Sequence, residues 1–62
     1  MCESSAYLTT AGGKEELLLE DVTMLKPEPG RVTLTNIMGE RKVVEAEIDF
    51  IDLLNHRIVL KK

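Results

Sequence analysis

The sequence predicts an all-β fold, and two observations support this prediction. Apolar and polar residues alternate with a period of two along most of the chain, as they do in strands that bury one face. Glycine and proline separate the alternating segments, most clearly at Gly12-Gly13 and in the pentapeptide from Lys26 to Gly30. The segments are short, so the pattern indicates a small sheet in which each strand is followed by a turn.

The first half of the chain contains two of the predicted strands. Residues 3–9 alternate regularly and precede Ala11-Gly12-Gly13, a turn in which glycine permits positive φ. Residues 15–25 form the second segment, but the apolar spacing slips from two to three at Glu20-Asp21, which predicts a β-bulge. A short helix is the competing interpretation of this segment, because leucine and glutamate favour helices.

The second half contains three more predicted strands. Lys26 to Gly30 is expected to be a loop, because it holds two prolines and a glycine. Residues 32–35 are a strand, and a turn follows around Gly39. Residues 41–52 are read as one long strand, and residues 57–61 as the last. The side chains expected to face the core in these two strands are Val44, Ala46, Ile48, Phe50, Ile58 and Leu60.

Five short strands in 62 residues predict a single domain over residues 1–62, a five-stranded antiparallel barrel or half-barrel of the SH3-like or OB-like kind. Closure is expected because it removes exposed strand edges. A chain of about 60 residues buries only about 60% of the surface that it exposes when unfolded. Its one cysteine, Cys2, cannot form an internal disulfide. We therefore expect a partner chain, a metal or an unusually well-packed core to add stability.

Composition argues against several classes of protein. No apolar run exceeds three residues, which is far too short for a transmembrane helix. No secretory signal is evident, so a free thiol predicts the reducing cytoplasm. An enzyme is not expected, because the single imidazole, His56, is far along the chain from the thiol and no third catalytic group is evident. His56 itself is read as a turn residue more readily than as a ligand.

The net charge of −3 gives little support to nucleic-acid binding. Small β-barrels nevertheless bind single strands through aromatic platforms and basic grooves. Tyr7 is the aromatic residue expected to be exposed, and the basic residues are interleaved with acids. An RNA-binding protein therefore remains the alternative function.

Cys2 is the residue best suited to hold a metal. Thiolate is a soft ligand that binds nickel, copper(I), zinc or iron. If Met1 is removed, Cys2 offers both an α-amine and a thiolate, which together form a five-membered chelate ring. Two such residues, one from each chain of a dimer, supply four donors, and a planar nitrogen–sulfur set suits Ni(II). From the residues alone, Cys2 is more readily interpreted as a small apolar residue of the first strand or as an exposed bystander than as a metal ligand.

The chain also resembles a known family, the CooT family of small nickel-binding accessory proteins linked to maturation of carbon monoxide dehydrogenase. The resemblance rests on "MCE" at the start, "LKPEPG" and "NIMGE" in the middle, and "IDFIDLLNHRIVLKK" at the end. It covers nearly the whole chain.

The resemblance implies a homodimer of β-rich subunits in which Cys2 of each chain helps to hold Ni(II), with Glu3 contributing only its backbone. It further implies a metallochaperone role toward a nickel enzyme such as carbon monoxide dehydrogenase. The apolar residues that the strand pattern leaves over, Ile51, Leu54 and Val59 with Tyr7, are the expected dimer contacts.

Overall fold

The computed structural model describes residues 3–62 and confirms the all-β prediction. Six strands form one sheet in the order β4-β3-β2-β1-β6-β5. Their bounds are β1 Ser4–Thr9, β2 Glu15–Glu28, β3 Arg31–Asn36, β4 Arg41–Val44, β5 Glu47–Asp52 and β6 Arg57–Lys61. β2 and β1 are the two central strands, and β4 and β5 are the two edges.

The prediction of a five-stranded antiparallel barrel or half-barrel is wrong in strand number, in strand direction and, for the closed form, in closure. The described residues form six strands, the pair β1–β6 is parallel, and the sheet is not closed into a barrel. The sixth strand and the parallel pair follow from a tight bend within the segment read as one strand, where the Ala46 amide donates to the Val44 carbonyl at 2.9 Å. The bend splits the segment into β4 and β5 without reversing the chain. β6 returns antiparallel to β5 and therefore lies parallel to β1.

β2 is the longest strand and carries the predicted irregularity. Its register against β1 shifts between the pairs Ser4↔Val22 and Ala6↔Leu19, so β2 contains an extra residue there. Asp21 has a φ of 56°, in the left-handed region that aspartate tolerates better than most residues. The bulge predicted at Glu20-Asp21 is confirmed, and the helical alternative is wrong. The bulge lets one strand pair with β1 in its first half and with β3 in its second.

The loop predicted from Lys26 to Gly30 is shorter in the structure. β2 continues to Glu28, and Pro27 pairs with Val32 of β3. A proline is tolerated here because β1 begins opposite Val22, so among residues 3–62 the other edge of β2 has no strand partner at Pro27. The turn is confined to Pro29-Gly30.

The turn predicted around Gly39 is confirmed and is built by Asn36. The Asn36 Oδ1 accepts hydrogen bonds from the amides of Met38, at 3.1 Å, and Glu40, at 2.8 Å. The Asn36 Nδ2 donates to the Glu40 carboxylate at 2.7 Å. Gly39 takes a φ of 84°, which is strained for any residue with a side chain. These hydrogen bonds give the buried side-chain amide of Asn36 its partners. They also hold the turn that joins β3 to β4.

One hydrophobic core lies against a single face of the sheet. Leu34 and Leu60 at its centre have no exposed surface. Val44 of β4 and the partly buried Ile48 of β5 belong to the same cluster, so both edge strands cover one core and the sheet is curled. The other buried members are Ala6, Leu8, Val22, Val32, Ala46 and Ile58.

Phe50 was expected in this core and is instead 46% exposed. The register of β5 against β6 shifts between Ile48↔Leu60 and Phe50↔Val59, which places an extra residue at Asp49. A bulge of one residue reverses the direction of every side chain that follows it. Phe50 consequently lies with Val59 on the face opposite the core.

No helix among residues 3–62 is long and apolar enough to cross a membrane. The assignment of residues 1–62 to a single domain stays a prediction.

Candidate functional site

The predicted metal ligand, Cys2, lies outside the described residues. Glu3, whose backbone was the second candidate ligand, is the first described residue, and it is half-buried immediately before β1. Cys2 is joined to Ser4 by two peptide links, and two extended residues span at most about 7 Å. The surroundings of Ser4 therefore define the part of the fold on which a Cys2 site would be built.

The start of β1 lies beside the turn that joins β5 to β6. The Ser5 amide donates to the His56 carbonyl at 2.9 Å, and Ser5 pairs with Arg57 in the parallel ladder. This juxtaposition follows from the parallel pairing, which places the first residues of β1 and β6 at one end of the sheet. The prediction that His56 is a turn residue is confirmed. Its side chain is exposed and its backbone has a φ of 55°.

The β5–β6 turn is held in shape by Asp52. Its Oδ2 accepts a hydrogen bond from the Asn55 side chain at 2.8 Å, and its Oδ1 accepts one from the Asn55 amide at 3.2 Å. These bonds, led by that from the Asn55 side chain, lower the pKa of Asp52 below its usual value. The carboxylate is therefore ionised at neutral pH and fastens both ends of the turn.

Two neighbouring leucines project from this turn. Leu53 is 80% exposed and Leu54 is 86% exposed. We call this pair the leucine tip. The strand pattern predicted Leu54 as a dimer contact and did not predict the exposure of Leu53. The available signal was the placement of two leucines between Asp52 and Asn55, where a turn exposes its central residues.

The described residues by themselves do not form a metal centre. In residues 3–62, no group of three or more histidine, cysteine, aspartate or glutamate side chains is arranged to hold a metal ion. A site at this end of the sheet would therefore need Cys2 together with backbone groups or a second chain.

The opposite face of the sheet carries a row of side chains across four strands. Leu17, Tyr7, Val59 and Phe50 are neighbours in the ladders β2-β1-β6-β5. Val59 is only 1% exposed and therefore unavailable as the dimer contact that was expected of it. Tyr7 is half-buried beneath the guanidinium of Arg57.

Three of the eight lysine and arginine side chains of the described chain are tied to oxygen acceptors. Arg57 forms an ion pair with Glu15, and Arg31 forms one with Glu28 at 3.1 Å. Lys42 donates to a carbonyl, that of Leu18, at 3.1 Å. Because the Tyr7 ring is covered by Arg57, it offers no free platform for stacking a base.

One open groove on the outer side of β2, β3 and β4 retains two cations, Lys26 and Arg41. Its full lining is Met24, Lys26, Glu28, Thr33, Thr35, Arg41 and Val43. The groove contains a carboxylate and no aromatic ring. It is the surface that the RNA-binding alternative, which stays a prediction, would require.

Comparison with known proteins adds a family and a close structural relative. The model of the family described as "CO dehydrogenase accessory protein CooT" matches residues 1–61. A crystal structure described as a CooT from Carboxydothermus hydrogenoformans superimposes with a TM-score of 0.87 at 44% sequence identity. That match covers 98% of this chain and 97% of the other. A search of curated proteins finds no match.

Proposed function

The chain belongs to the CooT family of CO dehydrogenase accessory proteins, and from this membership we propose that it is a metallochaperone that carries Ni(II). The metal is cargo, held between two copies of the chain by the Cys2 thiolate of each. The observation that carries the proposal is the family match over residues 1–61, which includes both Cys2 and Glu3.

The chemistry of the terminus supports nickel as the cargo. A thiolate beside main-chain nitrogen donors gives the nitrogen–sulfur set that planar Ni(II) prefers. Removal of Met1 would add the α-amine of Cys2, and the Glu3 amide nitrogen is the next backbone donor. Metal binding displaces the thiol proton, so the apparent affinity is expected to rise with pH.

A shared site also accounts for the proposed homodimer. One Cys2 supplies two donors at most from its amine and sulfur, and a second copy doubles that number. The described residues of one chain offer no cluster that would complete the site from within.

The recipient of the nickel is proposed to be a nickel enzyme such as carbon monoxide dehydrogenase, in keeping with the accessory role of the family. In this role the chain supplies metal and does not itself catalyse a reaction. The cytoplasmic location predicted from the free thiol stays a prediction.

Titration of Ni(II) into the wild-type protein and into Cys2→Ser tests the proposal. We expect a thiolate-to-nickel charge-transfer band in the wild type only, saturating at one nickel ion for two chains. His56→Ala is the matched control, because His56 lies at the same end of the sheet but is not a proposed ligand. Light scattering on the same samples reports the dimer.

Equal nickel affinity in wild type and Cys2→Ser would refute the role of Cys2, and saturation at one ion per chain would refute the shared site. The RNA-binding alternative predicts a different result. It requires single-stranded RNA to bind with an affinity that falls as salt concentration rises and that depends on Lys26 and Arg41.

A further inference from the structure

The start of β1 is attached to the sheet on both of its sides. On one side Ser4 pairs with Val22 of β2, where the register shift between Ser4 and Ala6 interrupts the ladder. On the other side the Ser5 amide donates to the His56 carbonyl at 2.9 Å, where the parallel pairing with β6 begins. The bond to His56 is therefore the regular attachment that fixes where β1 starts.

The acceptor in this bond depends on an unusual backbone conformation. His56 has a φ of 55°, in the left-handed region, which a β-carbon makes unfavourable. Such a conformation persists only where the surrounding structure imposes it. The contact with β1 uses the carbonyl of His56 and not its imidazole, so the conformation of the turn decides whether the acceptor is in place.

Asp52, at the end of β5, is placed to impose that conformation. Its carboxylate accepts hydrogen bonds from the backbone amide and the side chain of Asn55, at 3.2 Å and 2.8 Å. Asn55 is the residue immediately before His56. Asp52 also lies opposite Arg57 in the β5–β6 ladder, and Arg57 lies opposite Ser5 in the β6–β1 ladder. Asp52 is therefore connected to the start of β1 both along the turn and across the strands.

The start of β1 matters because the proposed nickel ligand is attached to it. Cys2 precedes Ser5 by three residues in the chain. Ordering a residue costs free energy, and a contact that is formed before binding adds nothing to that cost when the metal binds. If Ser5 loses its acceptor, the first residues of β1 must be ordered again when two chains meet at one metal ion.

We propose that Asp52 is a positioning residue for the nickel site. It acts on the start of β1 through Asn55 and the His56 carbonyl, and it thereby holds the strand from which Cys2 extends. This inference rests on the proposed function, since it concerns how the same site is held. Asp52 does not bind the metal in this proposal, so its loss should weaken nickel binding without changing the donor atoms.

Titration of Ni(II) into the full-length wild type and into Asp52→Ala tests the proposal. We expect the charge-transfer band at the same wavelength in both and an affinity about threefold to tenfold lower in the variant. This range corresponds to one net hydrogen bond, whose free energy must now be supplied when the metal binds. Asn55→Ala should cause the same loss, and the double variant should lose little more, because the two residues act through one contact.

Glu28→Ala is the matched control for loss of a carboxylate that holds a turn. Glu28 accepts hydrogen bonds from Arg31 at 3.1 Å and from Thr33 at 3.5 Å. Its turn joins β2 to β3 and lies at the end of β2 away from Val22, the partner of Ser4. We expect Glu28→Ala to lose stability and to keep the nickel affinity of the wild type.

Hydrogen exchange of the Ser5 amide, followed by NMR without metal, measures the structural step directly. We expect faster exchange in Asp52→Ala than in Glu28→Ala, because the first variant alone disturbs the acceptor of this amide. Unchanged exchange in Asp52→Ala would show that the turn does not hold Ser5, and the proposal is then wrong. Asp49→Ala, on the same strand and outside the turn, controls for loss of one charge from β5.

The nickel titration decides the remaining alternatives. Wild-type affinity in Asp52→Ala, or an equal loss in Glu28→Ala, overturns the proposal, and a displaced charge-transfer band identifies Asp52 as a ligand and overturns it too. If the wild type shows no such band, the proposed function fails and this inference fails with it, whereas an intact band with undiminished affinity in Asp52→Ala refutes the positioning role alone. Circular dichroism verifies folding, and Asp52→Asn, which keeps one acceptor oxygen and should lose less affinity, replaces Asp52→Ala if the latter does not fold.

Discussion

The guanidinium of Arg57 lies over the ring of Tyr7, with its central carbon 4.9 Å from the ring centroid. The same guanidinium forms an ion pair with Glu15. One side chain of β6 therefore reaches across β1 to β2, on the face of the sheet opposite the core. It links the parallel pair β1–β6 to the long strand β2.

Arg57→Ala is expected to lower the free energy of unfolding by roughly 1 kcal/mol. A cation over an aromatic ring contributes about 0.5–1 kcal/mol at an exposed site, and an exposed ion pair contributes about 0.2–1 kcal/mol. Urea denaturation followed by circular dichroism measures the change. Arg41→Ala, on edge strand β4, is the control with the same loss of charge, and the prediction is wrong if both variants lose equal stability.

Leu34→Ala is expected to destabilise the protein by about 2–5 kcal/mol, because it opens a cavity where the side chain has no exposed surface. A chain of 62 residues has a total stability of roughly 3–9 kcal/mol, so much of the fold's stability is lost. Leu53→Ala makes the same chemical change at an exposed position and should alter stability by less than about 0.5 kcal/mol. Thermal melts of the two variants compare them directly, and similar melting temperatures would contradict the assigned core.

Asp52 is expected to make the stability of the protein depend on pH. Because hydrogen bonds from Asn55 lower the pKa of Asp52 in the folded state below 3.8, the carboxylate binds protons more readily in the unfolded chain. Its stabilising contribution is therefore complete above the unfolded pKa, near 4, and is lost as pH falls through the folded pKa.

Urea midpoints of wild type and Asp52→Asn between pH 7 and pH 2 test this dependence. We expect the wild type to be more stable at pH 7 and the difference to vanish at the acidic limit. Asp49→Asn, on the same strand but outside the turn, is the control for loss of one charge. A difference between wild type and Asp52→Asn that does not change with pH would argue against the role of the Asp52–Asn55 hydrogen bonds.

The alternation of apolar and polar residues predicted most of the strands correctly. It did not predict the bend at Ala46 or the bulge at Asp49. Alternation identified the bulge at Glu20-Asp21, since an extra residue there shifts the apolar spacing. The alternation did not reveal the bend at Ala46. Val44 and Ala46 remain on the same face of the sheet across this bend, so the period of two continues without a break. The alternation also misplaced Phe50, whose direction depends on the bulge at Asp49.

The sequence by itself determined the β class, the positions of the glycine turns, the core residues Val44, Ala46, Ile58 and Leu60, and Cys2 as the single thiol. These properties depend on residues that are neighbours in the chain, because the alternation of apolar residues and the backbone preferences of glycine are local features of the sequence. Tertiary structure decided the parallel pairing of β1 with β6, the open edges at β4 and β5, the burial of Val59 and the exposure of the leucine tip. These features arise from contacts between residues far apart in the chain, such as Ser5 with His56, and no local pattern specifies which distant backbone a strand will pair with.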